Sequence, residues 1–234
     1  PNAINEKAIV DAQAVGEAVR RAVKRAGARA KEVAVAISGD AAITKVIQMP
    51  RNLREAELES QVEMQADQYI PFPMEEVSFD FEVIGPSEKD PEMLDVLLVA
   101  TRSENVEQRQ ASVQAAGLAA RIVDVEAFAL ENACRLLTHQ MPDGGMDRNI
   151  AVIDFGASST TFSVLRDLKV TYTRDFAFGG QQLTEEIMRT YGLSMEEAGR
   201  AKKEGGLPAN YQAEVLDPFI DDMCQQVSRS LQFY

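Results

Sequence analysis

Ile150-Ala-Val-Ile-Asp-Phe-Gly-Ala-Ser-Ser-Thr-Thr-Phe-Ser-Val-Leu165 decides how the rest of the chain is read. Ile150 to Ile153 and Thr161 to Leu165 are apolar and rich in β-branched residues, so each half reads as a strand. Between them Asp154, Gly156, Ser158 and Ser159 supply turn chemistry. The unit is a hairpin. Its turn offers a carboxylate, a glycine that lets backbone approach closely, and several N–H groups with hydroxyls around them. That combination suits a phosphate and its metal. On this segment alone it equally suits a plain hairpin in which Asp154 only shapes the turn.

Downstream, Val170 to Phe178 reads as a strand running into Gly179-Gly180, followed by a helix from Leu183 to Thr190. A glycine pair before a helix allows a close turn at an N-terminus that attracts anions, though Gly-Gly is common in loops. Ser194-Met-Glu-Glu197 is a capping box opening a second helix, which carries Lys202 and Lys203 and stops at Gly205-Gly206. A third helix from about Asp217 places Ile220, Cys224, Val227 and Leu231 on one face. Upstream, the loop Met141-Pro-Asp-Gly-Gly-Met-Asp-Arg148 is the expected domain boundary. Before it lie a strand, Ala120 to Val125, and a helix from Glu126 through Leu137. His139 sits at that helix's end, where the dipole favours it, and no Ser/His/Asp arrangement assembles around it.

The first part of the chain alternates in the same way. Helical spacing from Ala8 to Ala26 ends at Gly27, with Arg20, Arg21, Lys24 and Arg25 on the polar face. A strand over Glu32 to Ser38 follows, and a helix succeeded by a strand begins an α/β layer. Ile43 to Met49 is a further strand. Asn52, with Glu55 three residues on, predicts a helix start, and that helix stops before Pro71. Val77 to Ile84 alternates with period two, Leu94 to Thr101 is a more apolar strand, and Ser103 is expected to cap a helix ending at Gly117. Residues 41 to 117 thus form a β-α-β-β-α unit compact enough to be an inserted subdomain. The acidic run Glu55, Glu57, Glu59, Glu63 and Asp67 offers an interaction face, with a solvated helix surface as the default reading.

With 234 residues, 45% of them hydrophobic, the chain can bury a sizeable core and form two domains. A formal charge of -13 argues against nucleic acid or an anionic bilayer as the main partner. Any phosphate would have to be held by local N–H groups. Cys134 and Cys224 are far apart in helical contexts, which supports neither a disulfide framework nor a CxxC metal site. No apolar run approaches the roughly 20 residues needed to cross a bilayer. The chain opens on Pro1 and breaks off within a helical pattern at Tyr234, as expected of a stretch of something longer.

Val-Ile-Asp154-Phe-Gly156-Ala-Ser-Ser-Thr160, the strand into Phe-Gly179-Gly180, and the helix pair with Thr184 and Lys202 together resemble the second half of an actin-like ATPase. The insertion between Ala41 and Gly117 resembles the subdomain of the bacterial FtsA branch. Within that branch Ile70-Pro-Phe-Pro-Met-Glu-Glu-Val77 and Val123-Asp-Val-Glu-Ala-Phe-Ala-Leu130 make the chain most similar to the PilM family, cytoplasmic actin-like proteins of type IV pilus assembly. The resemblance implies an α/β, actin-like (ribonuclease H-like) two-domain fold. Residues 1–40 and 118–148 would form subdomain 1A, 41–117 the inserted 1C, 149–180 the core 2A and 181–234 the helical 2B.

The resemblance also implies site residues. Asp154 matches the aspartate that orients magnesium, often through water. Gly156, Ala157, Ser158, Ser159 and Thr160 match the phosphate-cradling turn, and Gly179 and Gly180 the glycine pair beneath ATP. Lys202 matches a lysine near the adenine or ribose. Glu126 falls where the family places a residue that positions the attacking water, although a first-turn acid complementing the helix dipole explains it equally well. Gly199 stands where division-protein relatives carry a ribose-binding glutamate. The first phosphate loop would precede Pro1 and the adenosine loop would follow Tyr234, so this stretch alone is expected to bind ATP poorly, and the whole protein to hydrolyse it slowly at most. The implied function is an ATP-dependent scaffold gripping the cytoplasmic N-terminal tail of PilN, with self-association open and the inner membrane reached only through that partner. A polymerising FtsA-like division ATPase or a sugar-kinase relative is the alternative.

Overall fold

The computed structural model describes residues 3–5 and 7–234. The chain folds as two compact units, one up to Ala129 and one from Leu130 onward.

The first unit opens with a short antiparallel pair, β1 (Ile4–Asn5) and β2 (Ala8–Ile9). Helix α1 (Ala12–Ala26) therefore starts later than Ala8, because Ala8 and Ile9 pair with Asn5 and Ile4. Asp11 accepts from the Ala14 N–H at its start, and Gly27 in the left-handed region (φ 67°) closes it. Strand β3 (Glu32–Ile37) leads into the insertion, formed by β4 (Ile43–Pro50), α2 (Glu55–Ala66), β5 (Val77–Pro86), β6 (Met93–Arg102) and α3 (Ser103–Ala115). The chain then returns as β7 (Ala119–Val125), parallel to β3, with Ile37 opposite Val125 at their C-terminal ends. Parallel neighbours need a long crossover, and the whole insertion is that crossover.

In the insertion's antiparallel sheet, ordered β4-β6-β5, the central strand contributes buried Val96, Leu98 and Ala100. Val62 and Ala66 of α2 cover them, with Ile47, Met49 and Ile70 completing the core. Helix α3 packs instead on α1: a Cβ at Gly16 would meet Ser112 O at 2.6 Å, so the two backbones nearly touch. Two expected caps are displaced. Helix α2 begins at Glu55, not at Asn52, because the Glu57 carboxylate reaches back to the Arg54 N–H at 2.9 Å. Ser103 is the first residue of α3, not its cap, and its hydroxyl lies 3.0 Å from that of Ser78 in β5.

Helix α4 (Glu126–Leu136) begins where β7 ends and runs across the division between the units. In the second unit β8 (Asn149–Phe155), β9 (Thr160–Arg166) and β10 (Lys169–Phe176) form an antiparallel meander with β9 in the middle. Phe162, Val164 and Leu165 bury β9, as its apolar run predicts. Helices α5 (Gly180–Tyr191), α6 (Met195–Glu204) and α7 (Asp217–Gln232) follow, with a single π turn at Gln212–Leu216 before the last. Leu183, Ile187, Ala198 and Val215 form the buried centre of the helical part. Helix α5 starts at Gly180, three residues ahead of the expected Leu183.

The Ser194 capping box forms as expected: Ser194 Oγ accepts from the Glu197 N–H, and the Glu197 carboxylate accepts from the Ser194 N–H at 2.9 Å. Replacing Ser194 by alanine should destabilise the second unit by about 1 kcal/mol, read from urea unfolding. The Ser194 hydroxyl and N–H hold the Glu197 carboxyl below its ordinary range. Its contribution is thus present above the unfolded carboxylate's pKa and is lost as pH falls through the lowered one.

Candidate functional site

The turn between β8 and β9 consists of Gly156, Ala157, Ser158 and Ser159, with Phe155 opposite Thr160 and Asp154 opposite Thr161. The Gly156 N–H donates to Ser159 O at 3.0 Å and closes it. The two carbonyls that follow turn to helix α5: Gly156 O accepts from Gly180 N at 3.0 Å and Ala157 O from Gln181 N at 2.7 Å. The N-terminus of α5 is therefore docked on the hairpin, its first amides already engaged. Among the described residues the N–H groups of Ala157, Ser158 and Ser159 donate to no acceptor.

Asp154 is exposed, and its carboxylate makes no hydrogen bond or ion pair among the described residues. A carboxylate without a partner, next to three adjacent undonated amides, fits a metal-bound phosphate: the amides would take its oxygens and the carboxylate a metal-bound water. No group of three His, Cys, Asp or Glu that could hold a metal occurs among the described residues, so phosphate oxygens and waters would complete the coordination.

Thr160, the last residue of the expected cradle, is fully buried, and its hydroxyl donates to Phe178 O at 2.6 Å. It ties the base of the hairpin to the segment before the glycine pair. Gly179 has extended backbone (φ -171°, ψ -179°), which any residue adopts. What excludes a side chain there is space, since a Cβ would lie 2.5 Å from Ala157 O and 2.8 Å from Gly156 O. Gly180 is different: its Cβ would meet Lys202 Nζ at 3.5 Å, ordinary contact. The Lys202 ammonium donates to Gly180 O at 2.6 Å and to Thr184 Oγ1 at 2.8 Å, and burial pushes its pKa down. The second unit thus brings the turn, both glycines and Lys202 together at the mouth of α5, with Asp154 two residues ahead of the turn in β8.

Glu126 belongs to the first unit, where its carboxylate pairs with Lys7 Nζ at 3.1 Å. Nearby Arg109 is buried, its Nε donating to Ala36 O at 2.5 Å. Burial lowers the Arg109 pKa, opposed by the charges of Glu126 and Asp40. Lys7 carried no signal in the sequence, because it stands 119 residues from its partner. The first unit also contains a groove of about 290 Å³ between the β3/β7 pair and the β4-β6-β5 sheet. Ile37, Phe79, Val99, Val106, Val123 and Val125 give it an apolar lining, with Asp80 and Asp124 among its polar residues. No helix among the described residues is long and apolar enough to cross a membrane.

A parallel β3/β7 pair interrupted by a β-α-β-β-α insertion, followed by a hairpin docked on a glycine-led helix, defines an α/β protein of the actin-like class. The match to solved structures agrees. Over its whole length the chain superposes on a chain of the PilM-PilN type IV pilus biogenesis complex with a TM-score of 0.74 and 29% identity, covering 67% of that chain. It likewise superposes on the ethanolamine utilization protein EutJ of Carboxydothermus hydrogenoformans with a TM-score of 0.55 and 16% identity, covering 61% of that chain, a likeness of fold alone. The model of the family "Type IV pilus assembly protein PilM" matches residues 1–234, and the chain belongs to that family. The cell division protein FtsA of Bacillus subtilis (strain 168) is 40% identical over 57 residues, which is 24% of this chain and 13% of FtsA.

Proposed function

We propose that this chain is the core of an actin-like, nucleotide-responsive scaffold of type IV pilus assembly whose first unit binds the cytoplasmic N-terminal tail of PilN. The observation that carries this reading is the match of residues 1–234 to 67% of a chain of the PilM-PilN complex, at 29% identity. The groove of the first unit supplies a surface for it: an extended segment places alternate side chains into an apolar trough while its polar backbone stays near the rim. Localisation at the inner face of the inner membrane follows through that partner. The resemblance to FtsA, confined to 57 residues, gives the division-protein alternative less support. The subdomain allocation 1–40 with 118–148, 41–117, 149–180 and 181–234 is part of the same proposal.

The test is a titration of a synthetic N-terminal PilN peptide into the full-length protein and into its Val123→Asp variant. Val123 is 37% exposed, so the fold tolerates the change while the trough acquires a charge. A loss of affinity of about tenfold or more is expected, the usual effect of burying an unpaired charge in an apolar contact. Equal affinity of both proteins would remove the groove from the reading, and no binding to either would remove PilN.

ATP with magnesium is the ligand proposed for the turn of the second unit. Asp154 would hold magnesium through water, Gly156 to Ser159 would cradle the phosphates, and Thr160 would anchor the cradle from below. The Glu126 carboxylate would orient water if hydrolysis occurs, at a slow rate suited to a shape change more than to turnover.

A further inference from the structure

We propose that Lys202 is a positioning residue that latches α6 to the mouth of α5 and thereby holds the phosphate turn in place. The inference rests on the nucleotide reading of the turn. Two protons of the ammonium are already directed at protein acceptors, Gly180 O and Thr184 Oγ1. Thr184, itself buried, also donates to Gly180 O at 3.1 Å. One residue of α5 thus carries both ends of a relay: the Gly180 carbonyl receives the latch, and the Gly180 N–H donates to Gly156 O in the turn. Gln181 N adds a second bond to Ala157 O. The turn therefore keeps its Gly156 and Ala157 carbonyls engaged only while α5 stays seated.

Lys202→Met keeps the length and apolar stem but removes the donors. In the full-length protein, Lys202→Met should weaken Mg-ATP and Mg-tripolyphosphate by the same factor, roughly tenfold for a lost charge-assisted hydrogen bond. Thr184→Val should act in the same direction and Thr184→Ser should restore binding. Independently of any ligand, hydrogen exchange at the Gly180 and Gln181 amides should rise about tenfold in Lys202→Met while Ile187, in the helical core, keeps its protection. Loss of ATP affinity with tripolyphosphate affinity intact would make Lys202 a nucleoside contact and overturn the proposal. Unchanged exchange at Gly180 and Gln181 would overturn it as well. If the wild type binds neither ligand, the nucleotide reading fails, and the exchange measurement still decides whether the latch exists.

Discussion

Asp154→Ala in the full-length protein is expected to abolish Mg-ATP binding, with a loss of about a hundredfold or more, the scale set by removing a metal's anchoring charge. The same variant should unfold within about 0.5 kcal/mol of the wild type, as surface substitutions do. The separation follows from geometry. The Asp154 carboxylate is exposed and has no hydrogen bond or ion pair among the described residues, so the fold does not depend on it. Omitting magnesium should reduce the difference between the two proteins, because the carboxylate acts through the cation. Calorimetric titration with unchanged ATP affinity in the variant would refute the assignment of the turn.

Gly179→Ala should be the most damaging single methyl group in the second unit, while Gly180→Ala should be nearly silent. At Gly179 the added carbon would press on the Ala157 carbonyl carbon at 2.7 Å and on the oxygens of Ala157 and Gly156, all backbone atoms that cannot rotate aside. Relief requires α5 to lift off the turn, which breaks the bonds from Gly180 N and Gln181 N. Strain and two lost hydrogen bonds together cost about 3 kcal/mol. Nucleotide affinity should fall with stability, because the turn loses its support. At Gly180 the nearest atoms stand at 3.5 and 3.8 Å, and the first is the end of a flexible lysine. Urea unfolding of the two variants checks the contrast; equal stabilities would show that the hairpin and α5 do not meet as described.

Much of this architecture was legible because it is local. The alternation of helices and strands, the hairpin at Ile150 to Leu165, the Ser194 box and the αL glycine at Gly27 all depend on residues within a turn or two of one another. Where expectation and structure part, a competing hydrogen-bond partner has intervened, in some places near in the chain and in others distant. Ala8 and Ile9 leave the helix to pair with another short strand, and Ser103 turns its hydroxyl to Ser78 in a strand 25 residues earlier. The helix after the glycine pair starts at Gly180 because the turn supplies acceptors for its first amides.

The residues by themselves determined the α/β order, the acidic charge that argues against nucleic acid as the main partner, and the pattern that marks membership of the PilM family. Only the tertiary structure decided which of two adjacent glycines is irreplaceable, that Lys202 bonds protein carbonyl and hydroxyl, that Thr160 is buried against Phe178, and that Glu126 is held by Lys7. The physical reason is range. Turn chemistry and hydrophobic period act through the nearest few residues, whereas a backbone contact at 2.5 Å or an ammonium's choice of acceptor exists only after segments far apart in the chain have packed.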